Sequence, residues 1–298
     1  MPQPIHGVIP PATTPFGEDG EVDLAAVKQQ INWLIENGVH GVAMGGSTGE
    51  GQALDVDEIR ALNSAAIEAA EGRIPVIAGI IVDSTREAIR RGKAVADLGT
   101  AALQVTPVHY LFRPNDEAML GHFKAIAEET GQPIIIYNVV PWSYLSPELL
   151  CHIMNEVPGV IGVKQSAGDL KLFADLMIMA QPDHLLICAV DALMYSAYTL
   201  GAHGSIAAIL AAAPRASVDL WDAVQAGDHG RARALHERLL VLWNALVSGA
   251  SANGDNLPAC TKYAQTLQGC PGLYPRAPMP MPSEQVKAEI KAGLERLG

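Results

Sequence analysis

A lysine closes an otherwise apolar run in the stretch VIGVKQSAGD, residues 160 to 169. If Lys164 points into a pocket, burial disfavours its ammonium form and lowers its pKa. A neutral lysine amine attacks carbonyl carbons and forms a Schiff base, which withdraws electrons from the adjacent carbon. The alternative is a lysine whose aliphatic stem lies along an apolar wall while the ammonium reaches water. Its position in the sequence leaves both interpretations open.

Tyr137 is a second candidate, at the end of the apolar run PIIIYN, residues 133 to 138. Its run directly precedes that of Lys164, so neighbouring parallel strands would place the phenol beside the amine. A phenol there can donate and accept protons while a carbonyl adds to the amine and water leaves. The competing interpretation is a strand-end tyrosine whose hydroxyl simply meets water.

The stretch AMGGSTGEGQAL, residues 43 to 54, combines hydroxyl groups with several glycines. Ser47 and Thr48 supply the hydroxyls, and the backbone N–H groups freed by the glycines form a nest that suits a carboxylate. No Gly-Lys-Ser/Thr follows, so the stretch is not a Walker loop. Taken alone, a glycine-rich turn between a strand and a helix is common and purely structural. Glu50 either braces this turn or is solvated.

The elements that must position these residues are short apolar runs that alternate with helical patterns. The runs are continuously apolar, as parallel strands covered by helices are. There are eight, beginning near residue 6 and continuing at 41–46, 75–81, 101–107, 133–138, 160–165, 185–190 and 204–210. They predict an α/β fold, a (β/α)8 TIM barrel over residues 1–214, with a C-terminal helical extension over residues 215–298. We expect helices near 230–248 and 283–296 in that extension. An open doubly wound sheet usually shows a glycine-rich dinucleotide turn after its first strand, and PPATTPF lacks one.

Local signals mark where the helices should begin and end. Ser84 with Glu87 and Asp55 with Glu58 have the spacing of helix N-terminal caps, and Ser146 precedes a proline. Four glycines lie where helices should stop, at positions 38, 99, 131 and 201. Asp191 follows the seventh run and could orient a substrate hydroxyl, but we favour a cap on the helix after it.

Composition excludes several classes of function. The net charge is −12 and no basic patch is present, which argues against nucleic acid or an anionic membrane surface as partner. No stretch is long and apolar enough for a membrane span. The four cysteines lie far apart, which suggests neither a zinc site nor a disulfide scaffold, and reduced thiols fit a cytoplasmic protein.

Taken together, GGSTGEG, IIIYNV, IGVKQS and LGAHGSI on an eightfold β/α pattern resemble the class I aldolase family that contains dihydrodipicolinate synthase and N-acetylneuraminate lyase. The resemblance implies a Schiff base between Lys164 and pyruvate or another 2-oxo acid, with Tyr137 as proton shuttle. It also implies that Ser47 and Thr48 bind the carboxylate and relay protons, and that the backbone carbonyl of Ile206 lies near the lysine. No metal and no cofactor are implied, since the iminium is the electron sink. Family members usually form homotetramers, as dimers of dimers.

The sequence departs from the synthases at the distal end of the site. Their segment after the strand-end tyrosine carries an arginine for the second substrate's carboxylate, whereas YNVVPWSYLSP has none. Trp142 suggests an apolar or planar surface there, unless it packs on a neighbouring helix. The loop TPVHYLFRP places His109 at the position of the synthases' second tyrosine, with Tyr110 beside it, and either could complete the relay. Gln165 and Ala189 replace a usual glutamate and glycine.

These observations predict a lyase that acts on a 2-oxo acid through a lysine Schiff base. The reaction is either aldol cleavage or condensation, with an aldehyde as second partner, or dehydration of a 2-keto-3-deoxy sugar acid. One alternative is a genuine 4-hydroxy-tetrahydrodipicolinate synthase. The other, of a different class, is a catalytically inactive 2-oxo acid binding or regulatory protein.

Overall fold

The computed structural model describes residues 4–252, 257–272 and 274–298 and shows one sheet of eight parallel strands. Their spatial order is β1-β8-β7-β6-β5-β4-β3-β2, the order of a sheet that curls around on itself. The strands are β1 (Gly7–Val8), β2 (Val42–Met44), β3 (Val76–Ile80), β4 (Ala102–Val105), β5 (Ile134–Asn138), β6 (Val160–Gln165), β7 (Leu185–Cys188) and β8 (Gly204–Ser205). The predicted (β/α)8 barrel is confirmed.

The seam of the barrel lies between the segment that follows β1 and the strand β2. Pro11 forms a parallel bridge with Ala43. The Ala43 N–H donates to the carbonyl of Pro10 at 2.9 Å, and the Ala12 N–H donates back to the carbonyl of Ala43 at 3.0 Å. Because β1 also pairs with β8, these bonds bring the two ends of the sheet together.

Helices follow the strands and cover the outside of the barrel. Those up to β8 are α1 (Leu24–Glu36), α2 (Val56–Ala70), α3 (Thr85–Val95), α4 (Asp116–Thr130), α5 (Pro147–Glu156), α6 (Leu170–Met179) and α7 (Met194–Thr199). After β8 come α8 (Ala208–Ala212), α9 (Pro214–Gln225), α10 (His229–Ala252), α11 (Leu257–Leu267) and α12 (Glu284–Glu295). Short 3₁₀ turns lie at Gly51–Ala53, Pro141–Ser143 and Asp191–Leu193. The helices predicted near 230–248 and 283–296 are confirmed as α10 and α12.

The last apolar run was expected to be a strand throughout, and this prediction is wrong. Only Gly204–Ser205 pairs in the sheet, and Ala208–Ala212 forms the short helix α8. Three of the five residues of α8 are alanine, the best helix former, so the run leaves the sheet as soon as the barrel wall has been completed.

Two apolar layers hold the barrel together. The interior is filled mainly by branched side chains from the strands and the residues next to them, which are Ile5, Ile9, Ala43, Ile77, Ala102, Ile135, Ile187 and Ile206. A larger cluster packs the outer strand faces against the helices. Both faces of each strand are therefore buried, which explains why the strand runs are continuously apolar.

The helix starts predicted at Asp55, Ser84 and Ser146 and the helix ends predicted at the four glycines agree with the structure. The Glu58 N–H donates to Asp55 Oδ1 at 2.8 Å and the Asp55 N–H donates to Glu58 Oε2 at 2.9 Å, a complete capping box at the start of α2. The glycines at 38, 99, 131 and 201 all have positive φ beyond helix ends. All four cysteines are buried and free. Within the described ranges, no helix combines the length and apolar character needed to cross a membrane.

Candidate functional site

The carboxyl ends of β5 and β6 place Tyr137 and Lys164 side by side. The two residues are register partners in the parallel pair. Lys164 Nζ lies 3.7 Å from the centroid of the Tyr137 ring, and the Tyr137 hydroxyl donates a hydrogen bond of 3.1 Å to Ser47 Oγ. Three residues predicted from separate stretches of sequence therefore form one continuous polar group at the barrel mouth.

The environment of Lys164 favours its neutral amine. The side chain is 3% exposed, so the ammonium does not reach bulk water as one interpretation required. Burial lowers the pKa of Lys164 below its ordinary value, while the phenol of Tyr137 and the carboxyl of Asp191 oppose that shift. The result is an amine that loses its proton more readily than a surface lysine and faces a group that can shuttle protons.

The turn that carries Ser47 and Thr48 is compact and tied to the barrel. Ser47 is exposed and Thr48 is buried. The Thr14 hydroxyl, from the segment after β1, donates to the carbonyl of Gly49 at 2.6 Å. A Cβ at Gly49 would lie 2.8 Å from the carbonyl oxygen of Ala12, so only glycine fits this approach. The turn is thus packed between the first two strand ends, with the Ser47 hydroxyl directed at Tyr137.

Glu50 braces this turn rather than being solvated. Its side chain is buried and pairs with Lys262 Nζ at 2.5 Å. That partner belongs to α11 and was not singled out from the sequence, because 212 positions separate the two residues.

The loops after β4 and β5 bring His109 and Trp142 together. The Trp142 indole N–H donates to the carbonyl of His109 at 2.7 Å. His109 Nδ1 lies 2.9 Å from the carbonyl of Pro107 and 3.2 Å from Asp83 Oδ1. Asp83 also accepts the backbone N–H groups of His109 and Tyr110, at 3.1 and 2.8 Å. Asp83 therefore anchors the start of this loop, a role that no pattern in the sequence reveals.

Tyr110 and Trp142 present large apolar surfaces at the edge of the site. Their exposed fractions are 70% and 67%. The Trp142 indole is anchored through its N–H, and its high exposure shows that the ring forms a surface above the loop and is not packed beneath a helix. Within this single chain, the Tyr110 backbone N–H bonds to Asp83 and the Tyr110 side chain lies on the exterior.

Asp191 is buried, and our prediction that it caps the helix following it is wrong. It is the first residue of the 3₁₀ turn Asp191–Leu193, which has no side-chain cap. Its Oδ1 instead accepts the N–H of Ile209, in the first turn of α8, at 2.7 Å. Burial raises the pKa of Asp191 to about 7, and Lys164 partly offsets that rise. The carboxyl therefore belongs to the electrostatic environment of the lysine.

Gln165 and Ile206 lie next to the candidate residues in supporting positions. The Asn138 side-chain amide donates to Gln165 Oε1 at 3.1 Å, and Asn138 Oδ1 accepts the N–H of Leu145 at 2.9 Å. This amide network fixes the loop after β5. Ile206 follows β8, with its N–H bonded to the carbonyl of Cys188 at 2.9 Å and its side chain inside the barrel.

Two buried polar side chains on β4 and just after it have unused hydrogen-bonding capacity. Among the described residues, neither amide atom of Gln104 nor the hydroxyl of Thr106 has a hydrogen-bond partner, and both residues are fully buried. Residues two apart on a strand share a face, and Gln104 pairs in register with Ile135, an interior position. A Cβ at Gly46 would lie 3.4 Å from Gln104 Nε2, so this amide lies beneath the turn of Ser47. Gln104 was not singled out from the sequence, although a glutamine in an apolar strand was the available signal.

In the part of the chain that the structure describes, no three His, Cys, Asp or Glu side chains cluster as metal ligands would. The site is built instead from an amine, a phenol, hydroxyl groups and a carboxyl.

Comparisons with known proteins agree on the relationship. The model of the family described as Dihydrodipicolinate synthetase matches residues 4–297. The 4-hydroxy-tetrahydrodipicolinate synthase of Methanopyrus kandleri is 33% identical over 297 residues, covering 99% of this chain and 97% of that protein. The crystal structure of dihydrodipicolinate synthase from Aquifex aeolicus is 27% identical, with a TM-score of 0.90 and coverage of 98% of both chains. A prophage protein of the dihydrodipicolinic acid synthase family from E. coli K12, solved in complex with pyruvate, is 26% identical with a TM-score of 0.91, again covering 98% of both chains.

Proposed function

Because the chain belongs to the dihydrodipicolinate synthetase family and is a class I aldolase-type lyase, we propose that it acts on pyruvate or a related 2-oxo acid through a Schiff base on Lys164. The observation that carries this proposal is the buried Lys164 amine, 3.7 Å from the ring centroid of a tyrosine whose hydroxyl bonds to Ser47. The complex of the E. coli relative with pyruvate supports the choice of substrate class.

The first half of the reaction forms the iminium. The neutral Lys164 amine attacks the C2 carbonyl carbon, and the carbonyl oxygen gains a proton through the Tyr137 hydroxyl to give a carbinolamine. A second proton reaches that oxygen, and it leaves as water. Ser47 and Thr48 hold the substrate carboxylate, and Thr48 takes part in the proton relay through Ser47 and Tyr137. As the family resemblance implies, we expect the carbonyl of Ile206 to lie near the lysine nitrogen and to accept a hydrogen bond from it.

The second half uses the iminium as an electron sink. Loss of a proton from C3 gives an enamine, whose electron pair either attacks an aldehyde carbon or expels a hydroxyl from C4. The first route makes a carbon–carbon bond, and its reverse is aldol cleavage. The second route dehydrates a 2-keto-3-deoxy sugar acid. Both need only protons and water beyond the substrates, so no further cofactor is required.

Trapping by borohydride tests the proposal directly. Incubation with pyruvate and borohydride should add one reduced pyruvate to the intact mass of the wild type and none to Lys164→Ala. Lys171→Ala, which alters an exposed lysine on α6, is the matched control and should be labelled like the wild type. Pyruvate that stabilises the wild type thermally but leaves no adduct and supports no turnover would favour the binding or regulatory protein instead.

The second candidate function is genuine 4-hydroxy-tetrahydrodipicolinate synthase. It is favoured by the names of full-length relatives at about 33% identity. The missing arginine after Tyr137 argues against it, since a hydrogen bond to a charged group contributes roughly 1.5–3 kcal/mol. Condensation of pyruvate with aspartate semialdehyde would establish this function, and absence of that product from an enzyme that traps pyruvate would exclude it.

We also propose that the protein forms a homotetramer as a dimer of dimers. The loop after β4 carries three consecutive exposed apolar residues, Tyr110, Leu111 and Phe112, with exposed fractions of 70, 69 and 81%. Such a continuous apolar run is typical of a surface that another protein molecule covers. A partner loop reaching the site would supply His109 or Tyr110 to the relay. Light scattering coupled to size exclusion would give the mass in solution, and a monomer would contradict the proposal.

A further inference from the structure

The ion pair between Glu50 and Lys262 joins the candidate carboxylate-binding turn to the C-terminal helices. Glu50 directly follows the Ser47–Gly49 segment, and Lys262 lies in α11. Their side chains are 4% and 0% exposed, and the charged atoms are 2.5 Å apart. Removing two charges from water is costly, so a buried pair is weak evidence for a stabilising role. The pair is therefore better explained by the segments that it holds in place than by a gain in stability.

Each member of the pair makes one further hydrogen bond. Lys262 Nζ also donates to the carbonyl of Tyr274 at 2.6 Å, and Glu50 Oε1 accepts the backbone N–H of Arg276 at 2.9 Å. Both cations also contact the Phe16 ring, whose centroid lies 4.6 Å from Lys262 Nζ and 4.4 Å from the Arg276 guanidinium carbon. Burial lowers the pKa of Lys262 to about 8 against the opposing attraction of Glu50, so the amine is still charged at neutral pH. The pair is therefore a fixed connection with little freedom to rearrange.

The backbone of Glu50 transmits that connection to the turn. Glu50 has a φ of 55°, in the left-handed region that a residue with a Cβ seldom adopts. Its N–H donates to the carbonyl of Ser47 at 3.1 Å, and the Gly51 N–H donates to the carbonyl of Gly46 at 3.0 Å. The side chain of a strained residue is thus anchored from another element, and its backbone closes the turn that presents Ser47 and Thr48. Such a strained conformation persists only when several surrounding contacts hold it in place.

We propose that the buried Glu50–Lys262 pair is a positioning device that holds the Ser47–Thr48 turn in the shape that receives the carboxylate of a 2-oxo acid, an inference that rests on the proposed function. Neither residue touches the substrate. The pair acts through the turn, and α11 is therefore part of the framework of the site.

The dependence of the trapping rate on pyruvate concentration separates this role from a merely structural one. Lys262→Met and Glu50→Gln should each raise the pyruvate concentration for half-maximal trapping by roughly tenfold or more, because binding of the carboxylate is lost. The rate at saturating pyruvate should fall by a smaller factor than the binding does, because Lys164 and Tyr137 are untouched and the shifted turn moves only the relay hydroxyls of Ser47 and Thr48. The double variant should resemble the worse single variant, because both changes break the same contact. Lys93→Met, which breaks an exposed pair with Glu129, is the matched control.

Hydrogen exchange followed by mass spectrometry tests the same proposal without turnover. A peptide spanning residues 45–51 should exchange faster in Glu50→Gln than in the wild type, and at the wild-type rate in Lys93→Met. A lower melting temperature with unchanged half-saturation and unchanged exchange of this peptide would overturn the proposal and leave a purely structural pair. If Lys262→Met fails to fold, Glu50→Gln, which keeps the side-chain size, carries both measurements. A wild type that forms no adduct would contradict the proposed function, while the exchange comparison would still decide the role of the pair.

Discussion

Replacing Tyr137 with phenylalanine removes one oxygen and leaves the rest of the site in place. The ring stays below the Lys164 amine, since the 3.7 Å contact is to the ring centroid. What disappears is the hydroxyl that bonds to Ser47 and that we propose carries protons to and from the carbinolamine. A positioned acid–base group contributes about 10²–10⁴-fold to rate. The variant should therefore form the pyruvate adduct more slowly by that factor, which corresponds to about 3–5 kcal/mol in the barrier.

The stability of this variant should change far less than its rate. One neutral hydrogen bond contributes about 0.5–1.5 kcal/mol net, and here the acceptor Ser47 is exposed, so the lower end applies. The assay is the initial rate of borohydride-trapped adduct formation, with thermal melting measured on the same samples. Tyr144→Phe, which removes a hydroxyl that donates to the carbonyl of Ser166 at 3.3 Å, is the control and should keep the wild-type rate. Adduct formation by Tyr137→Phe at the wild-type rate would refute the assignment of the proton shuttle.

Three further changes test other parts of the structure. Asp191→Asn should keep the hydrogen bond from the N–H of Ile209 but remove the anion that raises the pKa of Lys164. That pKa then falls further, so the rise of the trapping rate with pH should move to lower pH, and an unchanged profile would contradict the coupling. Phe112→Asp should reduce the molecular mass seen by light scattering, since it places a charge in the exposed apolar run, and an unaltered mass would exclude that run from an interface. Asp55→Ala should cost about 0.5–2 kcal/mol in urea unfolding, because it removes the capping box of α2, and a loss below that range would show that the cap is dispensable.

Much of the fold was predictable because its signals are local in the sequence. Each strand is a short apolar run bounded by turn residues, and the capping and helix-ending signals lie within a few positions of the residues they affect. Lys164 and Tyr137 could be found by the same reasoning, since a polar residue ending an apolar run is visible without knowing its neighbours. Their adjacency then follows from the order of strands in a parallel barrel, where successive strands pair.

Asp191 shows why reasoning from neighbouring residues fails when one sequence pattern fits both a local helix cap and a partner far along the chain. An aspartate before a helical segment has the spacing of a cap, and the sequence offers no reason to choose another partner. In the structure, the amide it accepts belongs to Ile209, 18 positions along the chain, in a helix that was expected to be a strand. The wrong predictions for α8 and for Asp191 therefore have one cause. The chain leaves the sheet after Ser205 and turns into α8, and this turn brings the Ile209 N–H to the Asp191 carboxylate.

The barrel and the C-terminal extension differ in sequence pattern, but residues from both surround the candidate site. Thr13, in the segment after β1, donates to Gln265 Oε1 of α11 at 2.9 Å, and Gln265 in turn donates to the carbonyl of Ala211 at 3.2 Å. Lys262, one turn earlier on the same helix, pairs with Glu50 beside the Ser47–Thr48 turn. One face of α11 thus contacts the ends of the first, second and eighth β/α units through buried polar groups, whose hydrogen bonds are directional and costly to leave unmade. An apolar contact would tolerate small shifts of the turn, whereas this polar contact does not. The turn that we propose presents two hydroxyls to a carboxylate requires that accuracy.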